Sequence, residues 1–380
     1  MNHKPTILIL TASYGDGHLQ AARALKQSFL SRGTERVRVV DLMREAHPFL
    51  NSITTTLYLK STQSSKFGLD YYGWSYYMTR ETKPDLAWNR YFKIIGKKKL
   101  KEIIDEEKPD AIINTFPFGA TAELCRSLRI PCFTIITDFA LHSRWVDSHI
   151  DKYYVAAEEI KDQLASYGCS RHQIEVSGIP IRSDFIRYDA SSHNEFRTIL
   201  DPYRKTVLIL AGSYGVLGNV DDMIRPLLAI DDCQIAVVCG RNAKLEQKLL
   251  AQYSDEQHVH IFGFLDNIHQ LMALSSCIIS KAGGLTLSES LALRIPLFIY
   301  KPFAGQEKEN AIFLSNKGVA SISYSTEELT DQIRRFFGDE LLSAEIKYRM
   351  ERIQSKCAAE FIVEDVLRTI DRTVPMVNNP

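Results

Sequence analysis

The sequence predicts an α/β protein built from two doubly wound, parallel-sheet domains, and three observations carry that expectation. Short apolar runs without polar alternation read as strands buried on both faces, the habit of parallel sheets. Helical patterns fall between these runs, giving βαβα order. The chain also repeats its opening: Val-Leu-Ile-Leu-Ala-Gly-Ser-Tyr-Gly at 207–215 aligns with Ile-Leu-Ile-Leu-Thr-Ala-Ser-Tyr-Gly at 7–15, identical at six of nine positions. Two Rossmann-like units, each opening with an apolar strand and a glycine loop, are the economical reading.

In chain order, Thr6 to Ala12 makes the first strand and ends in Ser13-Tyr14-Gly15-Asp16-Gly17-His18. A helix follows with Ala21, Leu25, Phe29 and Leu30 broadly on one face. Strands are expected at Val37–Val40, Asp110–Asn114, Ile130–Ile136, Tyr153–Ala156 and Ile174–Val176. The stretch from Ser177 to Ser192 has linker composition. Beyond it, strands are expected at Val207–Leu210, Gln234–Cys239, His258–Phe262, Cys277–Ser280 and Pro296–Tyr300. The predicted domains are 1–185 and 195–350, followed by a C-terminal helix within 351–380. In such an arrangement the sheets face each other and ligands bind in the cleft at the strands' C-terminal ends.

Residues 50–101 break the alternation. They hold Tyr72, Trp74 and Trp88 among many aromatics, then Lys97, Lys98, Lys99 and Lys101. Rings and ammonium groups in this combination suit a water–membrane interface carrying anionic lipid. A helical layer with its aromatics in the core explains the same composition.

Composition narrows the class. The chain has 380 residues, with Lys+Arg 46 against Asp+Glu 46, so its overall charge gives no reason to propose a nucleic-acid partner. Seven cysteines without a CxxC pair argue against a disulfide framework or structural zinc. No apolar run approaches the ~18 residues of a membrane span, and the first residues run into a strand without a signal-peptide core. A cytosolic protein, soluble or peripheral to a membrane, is expected.

The chemistry lies at strand ends. Gly283 and Gly284 separate a buried strand from a helix whose inner face carries Leu287 and Leu291, a turn that aims bare N–H groups and the helix dipole at one spot and suits phosphate. Glu289, one turn on, can accept two hydrogen bonds from a ribose diol. Gly212 and Ser213 offer a second N–H nest. Phe264, after Gly263, can grip a base. Gln306 and Glu307 can bind several sugar hydroxyls. His18 starts a helix after a strand, where the dipole lowers its pKa and keeps the imidazole neutral, ready to act as general base for an acceptor hydroxyl. Asp138 is a second candidate base or an orienter of His18; capping a helix is its bland alternative.

Six segments in this order resemble one family: 9–18 (ending Gly-Asp-Gly-His), Asn114-Thr115-Phe116-Pro117, Thr137-Asp138-Phe139, Gly178-Ile179-Pro180-Ile181-Arg182, Lys281-Ala282-Gly283-Gly284-Leu285-Thr286 and 301–310 (Lys-Pro-Phe-Ala-Gly-Gln-Glu-Lys-Glu-Asn). They are similar to the processive diacylglycerol β-glucosyltransferases of Gram-positive bacteria, which group with plant monogalactosyldiacylglycerol synthases and the peptidoglycan lipid-intermediate N-acetylglucosaminyltransferase. The resemblance spans about residues 5–365. It implies a GT-B fold whose C-terminal helix returns to the first domain, an acceptor lipid on that domain and a UDP-sugar on the second. It implies inverting transfer of glucose from UDP-glucose to the 3-hydroxyl of diacylglycerol, then to the glucolipid formed, making membrane glycolipid of the lipoteichoic acid anchor type. No tightly bound metal is implied. By motif, His18 is the base or orients the acceptor, with Asp138 its rival and Gly17 beside the acceptor. Gly283 and Gly284 hold diphosphate, Glu289 ribose, Gln306 and Glu307 the sugar, with Thr286 a further donor-binding residue; Phe264 at the uracil is the weaker transfer. The family often has Lys-Pro-Gly-Gly where this chain has Lys281-Ala282-Gly283-Gly284, a change that loosens the turn. The implied location is the cytoplasmic face of the cell membrane. Rival readings are another GT-B enzyme with a galactosyl or N-acetylglucosaminyl donor, a UDP-sugar epimerase, and a UDP-sugar-sensing protein without turnover.

Overall fold

The computed structural model describes residues 4–13, 16–46, 96–212, 217, 219–353 and 357–373. The described chain forms two compact units, one drawn from 4–46, 96–183 and 357–373, the other from 184–353.

The first unit holds six parallel strands: β1 (Thr6–Thr11), β2 (Arg36–Asp41), β3 (Ala111–Asn114), β4 (Cys132–Ile135), β5 (Lys152–Val155) and β6 (Ile174–Val176). Their order in the sheet is β2-β1-β3-β4-β5-β6. Successive side chains point to opposite faces, and both faces are covered. Leu8 and Leu10 pack with Ile112, Cys132 and Tyr153 on one side. Ile7 and Ile9 pack with Ile113, Phe133 and Tyr154 on the other. That is why β1 reads as an unbroken apolar run. The second face is closed by Ala22, Leu25 and Phe29 of the Asp16–Ser31 helix and by Ile362, Val363, Val366 and Ile370 of the Ala358–Thr373 helix. Each of those four aliphatic side chains is worth on the order of 2 kcal/mol when fully buried. Polar contacts set the helix's register: Tyr154 Oη donates to Asp365 Oδ2 at 2.8 Å, and Lys152 Nζ lies 2.6 Å from the same oxygen.

The second unit repeats the architecture with β7 (Lys205–Leu210), β8 (Cys233–Val238), β9 (Val259–Phe262), β10 (Cys277–Ser280), β11 (Leu297–Tyr300) and β12 (Ala320–Ser323), in the order β12-β11-β10-β7-β8-β9. The edge strand β12 has no counterpart in the sequence reading. Its Ala-Ser-Ile-Ser run is half-exposed over three of its four residues, so it lacks the apolar signature of a strand buried on both faces.

The repeated segment takes the same place in each sheet. β1 lies between β2 and β3, β7 between β8 and β10, so sequence order reverses beside each. Such reversal points open a crevice at the strands' C-terminal ends, where open α/β sheets bind ligands.

Tyr72, Trp74, Trp88 and Ser213, with Tyr214 and Gly215, lie outside the described residues. Among the described residues no helix is long and apolar enough to cross a membrane.

Candidate functional site

In the second unit three loops come together at the ends of adjacent strands β7, β10 and β11. After β7, Gly212 has φ +84°, left-handed backbone that costs glycine nothing. After β10, the chain turns through Lys281-Ala282-Gly283 into the Gly284–Leu293 helix, whose N-cap Gly283 gives no side-chain cap. The first N–H groups of that helix are therefore open to an anion. The turn is pinned from behind: fully buried Asn310 donates through Nδ2 to the Ala282 carbonyl at 3.0 Å. A Cβ added at Gly283 would meet nothing within 4 Å, so its backbone faces open space. Thr286 and Glu289 are half-buried on the same helix.

After β11, Gly305 at φ 94° and ψ −140° starts the Gln306–Asn316 helix, again without a side-chain cap. Gln306 and Glu307 thus sit at a second open helix N-terminus. Glu307 Oε1 accepts from Lys281 Nζ at 2.9 Å, which joins this loop to the previous one. Two strands across from β7, Phe264 follows β9, about 10 Å away at normal strand spacing. The residue is 48% exposed, with the Arg241 guanidinium 4.9 Å from its ring centroid.

In the first unit β1, β3 and β4, also adjacent, bring His18, Thr115 and Thr137 together. His18 lies in the first turn of the Asp16–Ser31 helix beside Gly17. Its Nδ1 is 2.8 Å from Thr137 Oγ1, and its carbonyl accepts from Thr115 Oγ1 at 3.1 Å. Phe116 meets the imidazole edge-on at 5.2 Å between centroids, and Trp145 lies at 6.3 Å. The residue keeps a little solvent exposure, but these rings enclose its imidazole. Burial lowers its pKa from 6.5 to about 4, opposed in part by a hydrogen bond with the Thr115 backbone. The direction matches the sequence reading; the leading cause is burial rather than the helix dipole. Asp138, next to Thr137, is 4% exposed.

Thr115, Thr137 and Lys281 touch candidate-site residues and were passed over in the sequence reading, although each stands inside a motif it quoted. Lys97, at the start of the Lys97–Glu107 helix, pairs with Glu123 at 2.8 Å, while Lys98 is exposed. Lys99 and Lys101 pair with Glu102 and Asp105 at 3.6 and 2.6 Å, so carboxylates answer part of this basic run.

Solved structures share the fold. The chain aligns over 99% of its length with the UDP co-structure of S. aureus MnaA (98% of that chain, TM-score 0.63, 14% identity). It aligns over 96% with Acinetobacter baumannii MurG (100% of that chain, TM-score 0.61, 16% identity). These likenesses establish a two-domain α/β architecture of the GT-B kind. The Monogalactosyldiacylglycerol (MGDG) synthase family matches residues 18–181, and the Glycosyltransferase family 28 C-terminal domain matches residues 206–365. The processive diacylglycerol beta-glucosyltransferase of Bacillus cytotoxicus is 38% identical over 374 residues, 97% of this chain and 94% of that protein. The Bacillus mycoides protein of the same name is 37% identical, with the same coverage. The chain is a glycosyltransferase and belongs to the processive diacylglycerol β-glucosyltransferase family.

Proposed function

We propose that this protein transfers glucose from UDP-glucose to the 3-hydroxyl of 1,2-diacylglycerol with inversion, and then to the glucosyl lipid formed. The second unit takes the donor. The observation that carries this is the line of Gly212, Gly283 and Glu307 across the C-terminal ends of β7, β10 and β11, with an uncapped helix start at two of the three. Open N–H groups there suit the diphosphate, Thr286 stands in the first turn beside them, and Glu289 is placed for ribose. Gln306 and Glu307 offer an amide and a carboxylate to the hexose. Phe264 offers an exposed ring to uracil at a distance a nucleoside diphosphate spans.

The first unit takes the acceptor. In the transfer the acceptor oxygen bonds to C1 of glucose as the bond from C1 to the β-phosphate oxygen breaks, and the electron pair leaves with UDP. The hydroxyl proton passes to His18 or to its rival Asp138. A pKa near 4 keeps His18 neutral at neutral pH, so its ring can accept a hydrogen bond from the hydroxyl. The helix N-termini offset charge growing on departing UDP. The aromatic and lysine-rich stretch, with Lys98 exposed at its end, holds the protein at the cytoplasmic face of an anionic membrane.

Purified protein incubated with diacylglycerol vesicles and UDP-glucose, UDP-galactose or UDP-N-acetylglucosamine, followed by mass spectrometry of the lipids, tests the reading. Mono- and dihexosyl lipid from UDP-glucose alone is expected; a different donor or no lipid product overturns it. Sedimentation with anionic vesicles, lost in high salt, tests the membrane contact separately.

A further inference from the structure

Lys281 lies at the centre of the three donor loops. Its stem covers Gly212, where an added Cβ would come 3.4 Å from Lys281 Cε, and its ammonium holds Glu307 Oε1 at 2.9 Å. The pair is largely shielded, with 24% of the lysine and 15% of the glutamate side chain exposed. The other carboxylate oxygen, Glu307 Oε2, is buried and has no hydrogen-bond partner among the described residues. Burial of an acceptor without a donor is costly, and such an atom in a ligand crevice is satisfied when a donor arrives.

A carboxylate on a short stem can rotate towards water or towards the crevice. With Oε1 tied to an ammonium, rotation is stopped and Oε2 is left as a preset acceptor. A hydrogen bond accepted by a carboxylate oxygen is charge-assisted and stronger than one between neutral groups.

We infer that Lys281 is a positioning residue for donor recognition: it clamps Oε1 of Glu307 so that Oε2 is presented to a hydroxyl of the donor's hexose. Lys281 acts through Glu307 and not on the diphosphate. The inference rests on the reading of the second unit as the donor site and adds the side chain that sets the geometry of its sugar contact.

The test compares wild type with Lys281→Gln, Lys281→Arg, Glu307→Gln and the Lys281→Gln/Glu307→Gln double variant. Each is assayed for kcat/KM with UDP-glucose and for the inhibition constant of UDP, which has no hexose. Circular dichroism checks folding. Lys281→Gln and Glu307→Gln should each lower kcat/KM on the order of tenfold, the loss expected when a hydrogen bond to a charged group is removed. The double variant should be no worse than the poorer single one within about twofold, because both changes break one contact. Lys281→Arg, which keeps a cation, should recover most of the activity. The inhibition constant of UDP should move by less than about threefold in all four, within the scatter of independent sites.

A parallel rise in the UDP constant for Lys281→Gln would place the ammonium on the diphosphate and overturn the inference. So would additive losses in the double variant, or a Lys281→Gln enzyme equal to wild type. If Lys281→Gln does not fold, Lys281→Arg and Glu307→Gln decide: full loss in the arginine variant, or none in Glu307→Gln, overturns it. A wild-type protein that neither transfers glucose nor binds UDP removes the donor reading itself, an outcome seen before any variant is compared.

Discussion

Thr137 Oγ1 lies 2.8 Å from His18 Nδ1, although 119 residues separate the two in the chain. The contact exists because β1 and β4 both pair with β3, so the loops that follow them meet at the same edge of the sheet. It fixes the plane of an imidazole already enclosed by Phe116 and Trp145.

If His18 takes the proton or orients the acceptor, loss of that hydroxyl should slow the chemical step and spare donor binding. Thr137→Val, which keeps the branched shape, should lower kcat about tenfold, in line with loss of one orienting hydrogen bond, with little change in KM for UDP-glucose. His18→Ala should lower kcat by roughly 100-fold or more, the usual range for a positioned acid–base group. Transfer at the wild-type rate by His18→Ala would remove His18 from the mechanism and leave Asp138 as base.

The lowered pKa of His18 has a consequence for stability. The folded value of about 4 lies below the ordinary 6.5, so between these pH values the unfolded chain binds the extra proton. Stability therefore rises as pH rises through this window and is lost on acidification, by up to about 3 kcal/mol from this group. Urea midpoints at pH 7 and 4.5 check this. Wild type should lose more between them than His18→Gln does; equal losses would show that the ring is not buried in its neutral form.

The two glycines of the proposed donor loops should respond in opposite ways. Gly283 has φ −73° and open space before it, so Gly283→Ala should fold with nearly wild-type stability while its methyl group obstructs the proposed diphosphate position. Gly212 has φ +84°, and Gly212→Ala should cost about 1–2 kcal/mol in backbone strain. Thermal melts with UDP titrations separate the two effects. A Gly283→Ala protein that binds UDP as wild type does would move the diphosphate elsewhere.

The exposed ring of Phe264 has little to do for the fold. Phe264→Ala should leave the melting temperature unchanged and weaken UDP binding about five- to tenfold, the scale of a stacked aromatic contact. Calorimetric titration with UDP measures it, and unchanged affinity would take the uracil from this ring.

Much of the fold was legible in the sequence because parallel strands buried on both faces tend to be apolar throughout, and eleven of the twelve strands were placed from such runs within a residue or two. The short β12 was not, since an edge strand half in solvent carries no such signature. The strand-end motifs around His18, Gly212, Gly283 and Gln306 were legible for a related reason: glycine at a strand-to-helix turn marks backbone that needs room or an unusual torsion. Which side chains meet across those turns was decided by tertiary structure. Strand order places β3 between β1 and β4, and so brings Thr115 and Thr137 to His18; it places β10 beside β11, and so brings Lys281 to Glu307. The burial that lowers the His18 pKa belongs to the same class. Proximity and desolvation arise from segments far apart in the chain, and local pattern carries no record of them until the sheets are assembled.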